Sequence, residues 1–150
     1  MDILGSPSHR VSSPPPVDGV PPACRIAKAT GANLLLIGAR TLTEPIIGAL
    51  WPGVDLPIWR PGRHFLLPVE AETLVLYDVD SLWHAEQLHL ARWLESRTRP
   101  TQVVSTSLEL LTARVASDAL FAMLYYRLNT FCIDLRADVG VERTKTARSR

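Results

Sequence analysis

The chain has 150 residues, a near balance of 16 Lys+Arg against 15 Asp+Glu, and 47% apolar residues. That length supplies one ordinary core and is too short for two full domains. A formal net charge of +1 removes any global charge argument for nucleic acid, a membrane surface or an acidic partner.

Residues 1–24 read as a disordered leader. Pro7, Pro14, Pro15, Pro16, Pro21 and Pro22 sit among Ser6, Ser8, Ser12 and Ser13, and proline neither donates to a ladder nor continues a helix. The start of the chain lacks a basic region followed by an apolar stretch, and no run approaches the ~18 apolar residues of a membrane span. A cytoplasmic protein is expected. Asn33–Ile37 is a continuous apolar run stopped by Gly38, the pattern of a strand buried on both faces. A helix follows, with Thr43 as its cap, Pro45 in its first turn and Pro52-Gly53 at its end.

Residues 52–68 read as an irregular connection with a short extended piece at His64–Leu67. Thr73–Tyr77 is a second buried strand, ending in Asp78-Val79-Asp80. Ser81 to about Arg97 is helical, with Leu82, Leu90 and Leu94 among its apolar steps and Pro100 as its break. Gln102–Ser105 is a third strand, Leu108–Arg127 holds two helical pieces divided at Asp118, and Thr130–Leu135 is a fourth strand. Residues 137–150 form a basic flexible tail with Arg143, Lys145, Arg148 and Arg150. Strands alternating with helices imply an α/β domain with a mainly parallel sheet of about four or five strands.

Phe121–Asn129 resembles the F-R-x-D-L-Y-Y-R-L-N segment of the sigma-54-interacting AAA+ domain of bacterial enhancer-binding transcription activators, with Leu124-Tyr125-Tyr126-Arg127-Leu128-Asn129 unbroken. Gln102–Leu111 resembles the family's R-V-I-A-A-T-N-R-D-L, and Thr73–Val79 its T-L-F-L-D-E-V. Gln87, Leu90, Arg92 and Leu94 keep step with its Q-x-x-L-x-R-x-L helix, and Leu34–Gly38 resembles the strand leading into its phosphate loop. The resemblance spans residues 25–136. It implies a reduced three-layer α/β/α P-loop NTPase core without a lid domain. Family members bind ATP and Mg²⁺.

The family's phosphate loop, G-E-x-G-T-G-K-E, corresponds to Gly38-Ala39-Arg40-Thr41-Leu42-Thr43-Glu44-Pro45. Glycines whose backbone would wrap phosphates are replaced by Thr41 and Thr43, and the lysine by Glu44. The metal-holding Asp and water-activating Glu correspond to Tyr77 and Asp78, and the sensor Thr-Asn to Ser107 and Leu108. Of two arginines in the F-R-x-D-L-Y-Y-R segment, the first is Phe121 and the second is Arg127. Only about thirty residues separate the first two motifs, without the family's sigma-54-contacting G-A-F-T-G-A string. Neither a lid nor a DNA-binding helix-turn-helix is expected after the last strand.

These replacements imply a non-catalytic, pseudo-ATPase regulatory or protein-interaction module with no cofactor and no metal. Its partner would be itself or a full-length AAA+ activator. The alternative is a weak ATP-binding or ATP-hydrolysing domain that uses the remnant loop and Asp78. A receiver-like domain ranks third, lacking the acidic cluster and late lysine of that class. Cys24 and Cys132 belong to no close-spaced pair, so they read as buried or partly buried thiols. His84 and His89 are five apart, off one helix face, and read as solvated helix residues. Trp51, Trp59, Trp83 and Trp93 read as core or partly buried.

Overall fold

The computed structural model describes residues 19–52, 58–61, 64–120 and 122–136. Residues 1–18 of the leader, the tail 137–150, Gly53 and Phe121 lie outside them. Five strands form one sheet: β1 (Leu34–Ile37), β2 (Ile58–Trp59), β3 (Thr73–Leu76), β4 (Gln102–Ser107) and β5 (Phe131–Asp134). Their order is β2-β3-β4-β1-β5, and every neighbouring pair is parallel. Leu36 pairs with Thr106 of β4 and Ile133 of β5, which puts β1 near the middle of the sheet.

The apolar runs sort by strand periodicity into two cores. Leu34 and Leu36 of β1, Val75 and Tyr77 at β3, and Val104 of β4 face one way. There they meet α1 (Pro22–Thr30) through Cys24 and Ala27, and α2 (Arg40–Leu50) through Ile46 and Ile47. Leu35, Ile37, Leu74, Leu76 and Val103 face the other way. They pack on Leu90 of α3 (His84–Glu95), on Leu111 just before α4 (Thr112–Ala116), and on Leu124 and Leu128 of α5 (Ala122–Leu128). Side chains alternate between two covered faces, so a continuous apolar run is needed rather than an apolar/polar alternation. The result is a three-layer α/β/α domain, as the resemblance implies.

Several boundaries differ from the sequence-based expectations. Helix α1 begins at Pro22, inside the stretch read as leader, and carries the buried Cys24. Proline at the helix start loses no bond, and Gly31 in the left-handed conformation closes the other end with its N–H on the Ala27 carbonyl at 3.0 Å. Helix α2 starts at Arg40, so Thr43 is not its cap and Pro45 stands inside it. The buried face Thr43, Ile46, Ile47 is the reason: it needs Thr43 already on the helix, three and four residues before its partners. His64–Leu67 forms no strand. The extended piece of this connection is β2, anchored by buried Trp59, and it takes the sheet edge, where flanking prolines do least harm.

A 3₁₀ turn at Val79–Ser81 precedes α3, which therefore starts at His84 and not at Ser81. Glu86 Oε1 accepts from the Trp83 N–H at 2.8 Å to close that helix start. The division at Asp118 holds: this residue has φ 57° between α4 and α5. Trp51 and Trp59 are buried and Trp93 is partly buried, but Trp83 is 77% exposed. Cys132, on the edge strand β5, is exposed. His89 stacks edge-on against Phe65, with ring centroids 5.9 Å apart. No helix among the described residues is long and apolar enough to cross a membrane.

Candidate functional site

The chain leaves β1 towards the β2 side of the sheet by way of α2. It reaches β5, on the far side of β1, over the opposite face by way of α4 and α5. In parallel α/β sheets ligands settle beyond the carboxyl ends of strands where the winding changes direction in this way. That edge carries Gly38 after β1, Tyr77 and Asp78 after β3, Ser107 at the end of β4 and Asp134 at the end of β5. The matched segments of the sequence therefore converge in space, Arg127 excepted.

Only Gly38 and Ala39 separate β1 from α2. Gly38 has φ 149°, and a Cβ there would stand 3.3 Å from Leu42 Cδ1 and 3.5 Å from Leu135 Cβ. Its N–H donates to the Ser107 carbonyl at 2.8 Å. Residues 40–44, aligned with most of the phosphate loop, are helical. The Leu42 and Thr43 N–H groups both donate to the Ala39 carbonyl, at 2.9 and 3.1 Å. Ala39 supplies no side-chain cap, so the earliest N–H groups of α2 face outward from the strand edge without one.

Four charged side chains of this edge form two pairs around one ring. Arg40 Nη2 donates to Asp78 Oδ2 at 3.0 Å, tying the start of α2 to the end of β3. Glu44 Oε1 lies 3.4 Å from Arg60 Nη2, on the connection after β2. Both guanidiniums flank Tyr77, with their central carbons 5.5 Å (Arg40) and 4.7 Å (Arg60) from the ring centroid. Burial, aided by the Glu44 charge, pushes the Tyr77 hydroxyl above its ordinary pKa, and the two arginines oppose that shift. Tyr77 is neutral at pH 7.

Asp78 has φ 53°, and its N–H donates to Thr106 Oγ1 at 3.0 Å. Its Oδ1 is buried without a hydrogen-bond partner, as is Oδ1 of Asp80. Burial raises the Asp80 pKa, its own and the Leu108 backbone N–H groups pull it back, Asp78 raises it further and Arg114 lowers it. Ser107 spends its hydroxyl locally: Oγ donates to the Glu109 carbonyl at 2.6 Å and accepts from the Glu109 N–H at 3.3 Å. Leu108, which the resemblance puts at the sensor asparagine position, is about half exposed.

Arg127 sits elsewhere. It lies in the last turn of α5, at the opposite, amino-terminal edge of the sheet, and pairs with Glu95 at 3.5 Å. No group of His, Cys, Asp and Glu among the described residues is arranged to hold a metal ion. Arg60 and Arg114 are the members of this edge that sequence reasoning missed. Neither lies in a matched motif, and only the fold brings them near Glu44 and Asp80.

No known family pattern and no curated protein matches the sequence. Solved structures do. NtrX from Brucella abortus, in complex with ATP, superposes with a TM-score of 0.53 at 13% identity, over 75% of this chain and 35% of that one. The P-loop NTPase domain of the sigma-54 transport activator from E. coli gives 0.48 at 23% identity, over 75% and 91%. The NtrX superposition shows a shared fold, a parallel sheet covered by helices on both faces. This chain spans about a third of the NtrX chain.

Proposed function

We propose that this chain is a non-catalytic AAA+-like regulatory or protein-interaction module related to sigma-54-dependent transcription activators. One observation carries the reading: the Arg40–Asp78 pair joins α2 to β3 across the strand edge where a P-loop protein would bind its ligand. Asp78, aligned with the water-activating carboxylate, is neutralised by the protein's own cation. Glu44 puts a carboxylate where the family has its phosphate-binding lysine, and Arg60 compensates it. Helix α2 starts two residues after Gly38, so the Leu42 and Thr43 N–H groups of the matched loop are already spent on the Ala39 carbonyl. The residues present do not fit ATP with Mg²⁺, and no hydrolytic step follows from them.

A surviving core with a self-satisfied ligand edge suits a protein that works by contact. In this reading the partner is a second copy of the chain or a full-length AAA+ activator, met in the cytoplasm of a bacterium. The uncapped start of α2 is the one feature that favours the weaker alternative of residual nucleotide binding.

Titration with a fluorescent ATP analogue, with and without Mg²⁺, separates the two. The expected result is no saturable binding up to about millimolar nucleotide, near the weak end of useful affinities. Mg²⁺-dependent saturation in the micromolar range would overturn the non-catalytic reading. Sedimentation velocity, alone and with an AAA+ activator, tests the partner: a strictly monomeric chain that binds no such protein would sink the interaction role.

A further inference from the structure

A second site lies at the amino-terminal edge of the sheet. Arg97, Thr98, Arg99, Pro100 and Thr101 follow α3 there and, with Arg127, line a cavity of about 380 Å³. We propose that this cavity binds a small phosphomonoester through Arg97 and Arg99, with Arg127 at its wall.

Two of the three pocket arginines, Arg97 and Arg99, have no carboxylate partner among the described residues. Arg97 Nη1 is buried without a hydrogen-bond partner. The guanidinium also stacks 4.1 Å from the Trp93 ring centroid, which leaves its other donors for the cavity. That stacking also holds the side chain ready. Arg127 is only loosely engaged, 3.5 Å from Glu95. Arg97, Arg99 and Arg127 line the same cavity, and a phosphate group can accept from more than one arginine at once.

The surroundings select the size of the ligand. Glu70 and Glu72 border the adjoining cavity next to Arg97 and Arg99, and Glu95 holds Arg127 on the other side. These carboxylates would repel an extended polyanion such as a nucleic acid strand. The cavity is large enough for a phosphate with a small attached group, and Leu94 and Pro100 give that group an apolar wall. Thr98 adds a hydroxyl to the lining.

This inference is independent of the ligand edge described above, because the two sites lie at opposite ends of the strands. The test is calorimetric titration of the full chain at constant ionic strength with glycerol 3-phosphate and with inorganic phosphate. Saturation by about 10 mM glycerol 3-phosphate is expected, with Arg97→Gln and Arg99→Gln each weakening it about tenfold or more. Arg92→Gln, which removes an exposed charge of α3 away from the cavity, should stay within about twofold, which controls for net charge. Absence of saturation, or equal binding by the Arg97 and Arg99 variants, would overturn the site. Inorganic phosphate binding as tightly as the ester would overturn the assignment to a phosphomonoester. A single-stranded oligonucleotide binding more tightly, through the same arginines, would overturn the small-ligand reading.

Discussion

Removing either partner of the Arg40–Asp78 pair tests whether the protein's own charges hold this strand edge together. Asp78 is 13% exposed and Arg40 39% exposed, with 3.0 Å between Nη2 and Oδ2. A half-exposed arginine screens much of the attraction, so the coupling falls between an exposed pair, at most ~1 kcal/mol, and a buried one broken on one side, ~3 kcal/mol. About 1–2 kcal/mol is the expected coupling. Arg40→Met leaves both carboxylate oxygens of Asp78 without a hydrogen-bond partner, since Oδ1 already has none. Asp78→Asn keeps the shape and tolerates the left-handed backbone at φ 53°. Urea unfolding of wild type, both single variants and the double variant gives a double-mutant cycle with the slope m as a check on the unfolded state. The double variant should lose about 1–2 kcal/mol less than the sum of the singles. Additivity within about 0.3 kcal/mol would refute the pair as a strut of this edge.

Other perturbations test the frame around it. Gly38→Ala should destabilise by about 1–2 kcal/mol in the same assay, because φ 149° suits only glycine and the new Cβ meets Leu42 at 3.3 Å; an unchanged midpoint would mean the β1–α2 junction adapts. Gln102 Nε2 donates to the Ala27 and Ala32 carbonyls at 2.8 and 2.7 Å, so Gln102→Leu should cost about 2–3 kcal/mol and raise amide exchange at the end of α1; exchange confined to other elements would contradict that anchor. Burial pushes the Cys24 thiol up to about 11 from 9.0, so the native state holds this proton more tightly than the unfolded chain does. Stability should therefore be intact below pH 9 and fall by up to about 3 kcal/mol as pH rises through 11. Cys24→Ala should flatten that slope, and Ellman's reagent at pH 8 should label exposed Cys132 at once but Cys24 only after unfolding.

Much of the fold was legible because it rests on short-range patterns. The runs at residues 33–37, 73–77, 102–105 and 130–135 mark four of the five strands, and uninterrupted apolar character indicates that both faces are covered. Asp118 marks a break because a short polar side chain tolerates the left-handed backbone found there. Helix α1 escaped notice because its two buried residues, Cys24 and Ala27, are a weak apolar signal beside Pro21 and Pro22. The two-residue strand β2 escaped because only its partner β3 makes it a strand.

The sequence by itself determined that the chain is a layered α/β domain, and its resemblance to a P-loop family led to the expectation that Glu44, Tyr77 and Asp78 replace lysine, aspartate and glutamate. Both readings depend on residue type and on spacing along the chain. Tertiary structure alone decided what became of those residues. Arg40 meets Asp78 across 38 positions, and Arg60 meets Glu44 from a connection with no motif. It also set Arg97, Arg99 and Arg127 around one cavity at the other end of the strands. Charge pairing depends on distance in space, and which strand lies beside which is settled only when two apolar faces are buried together.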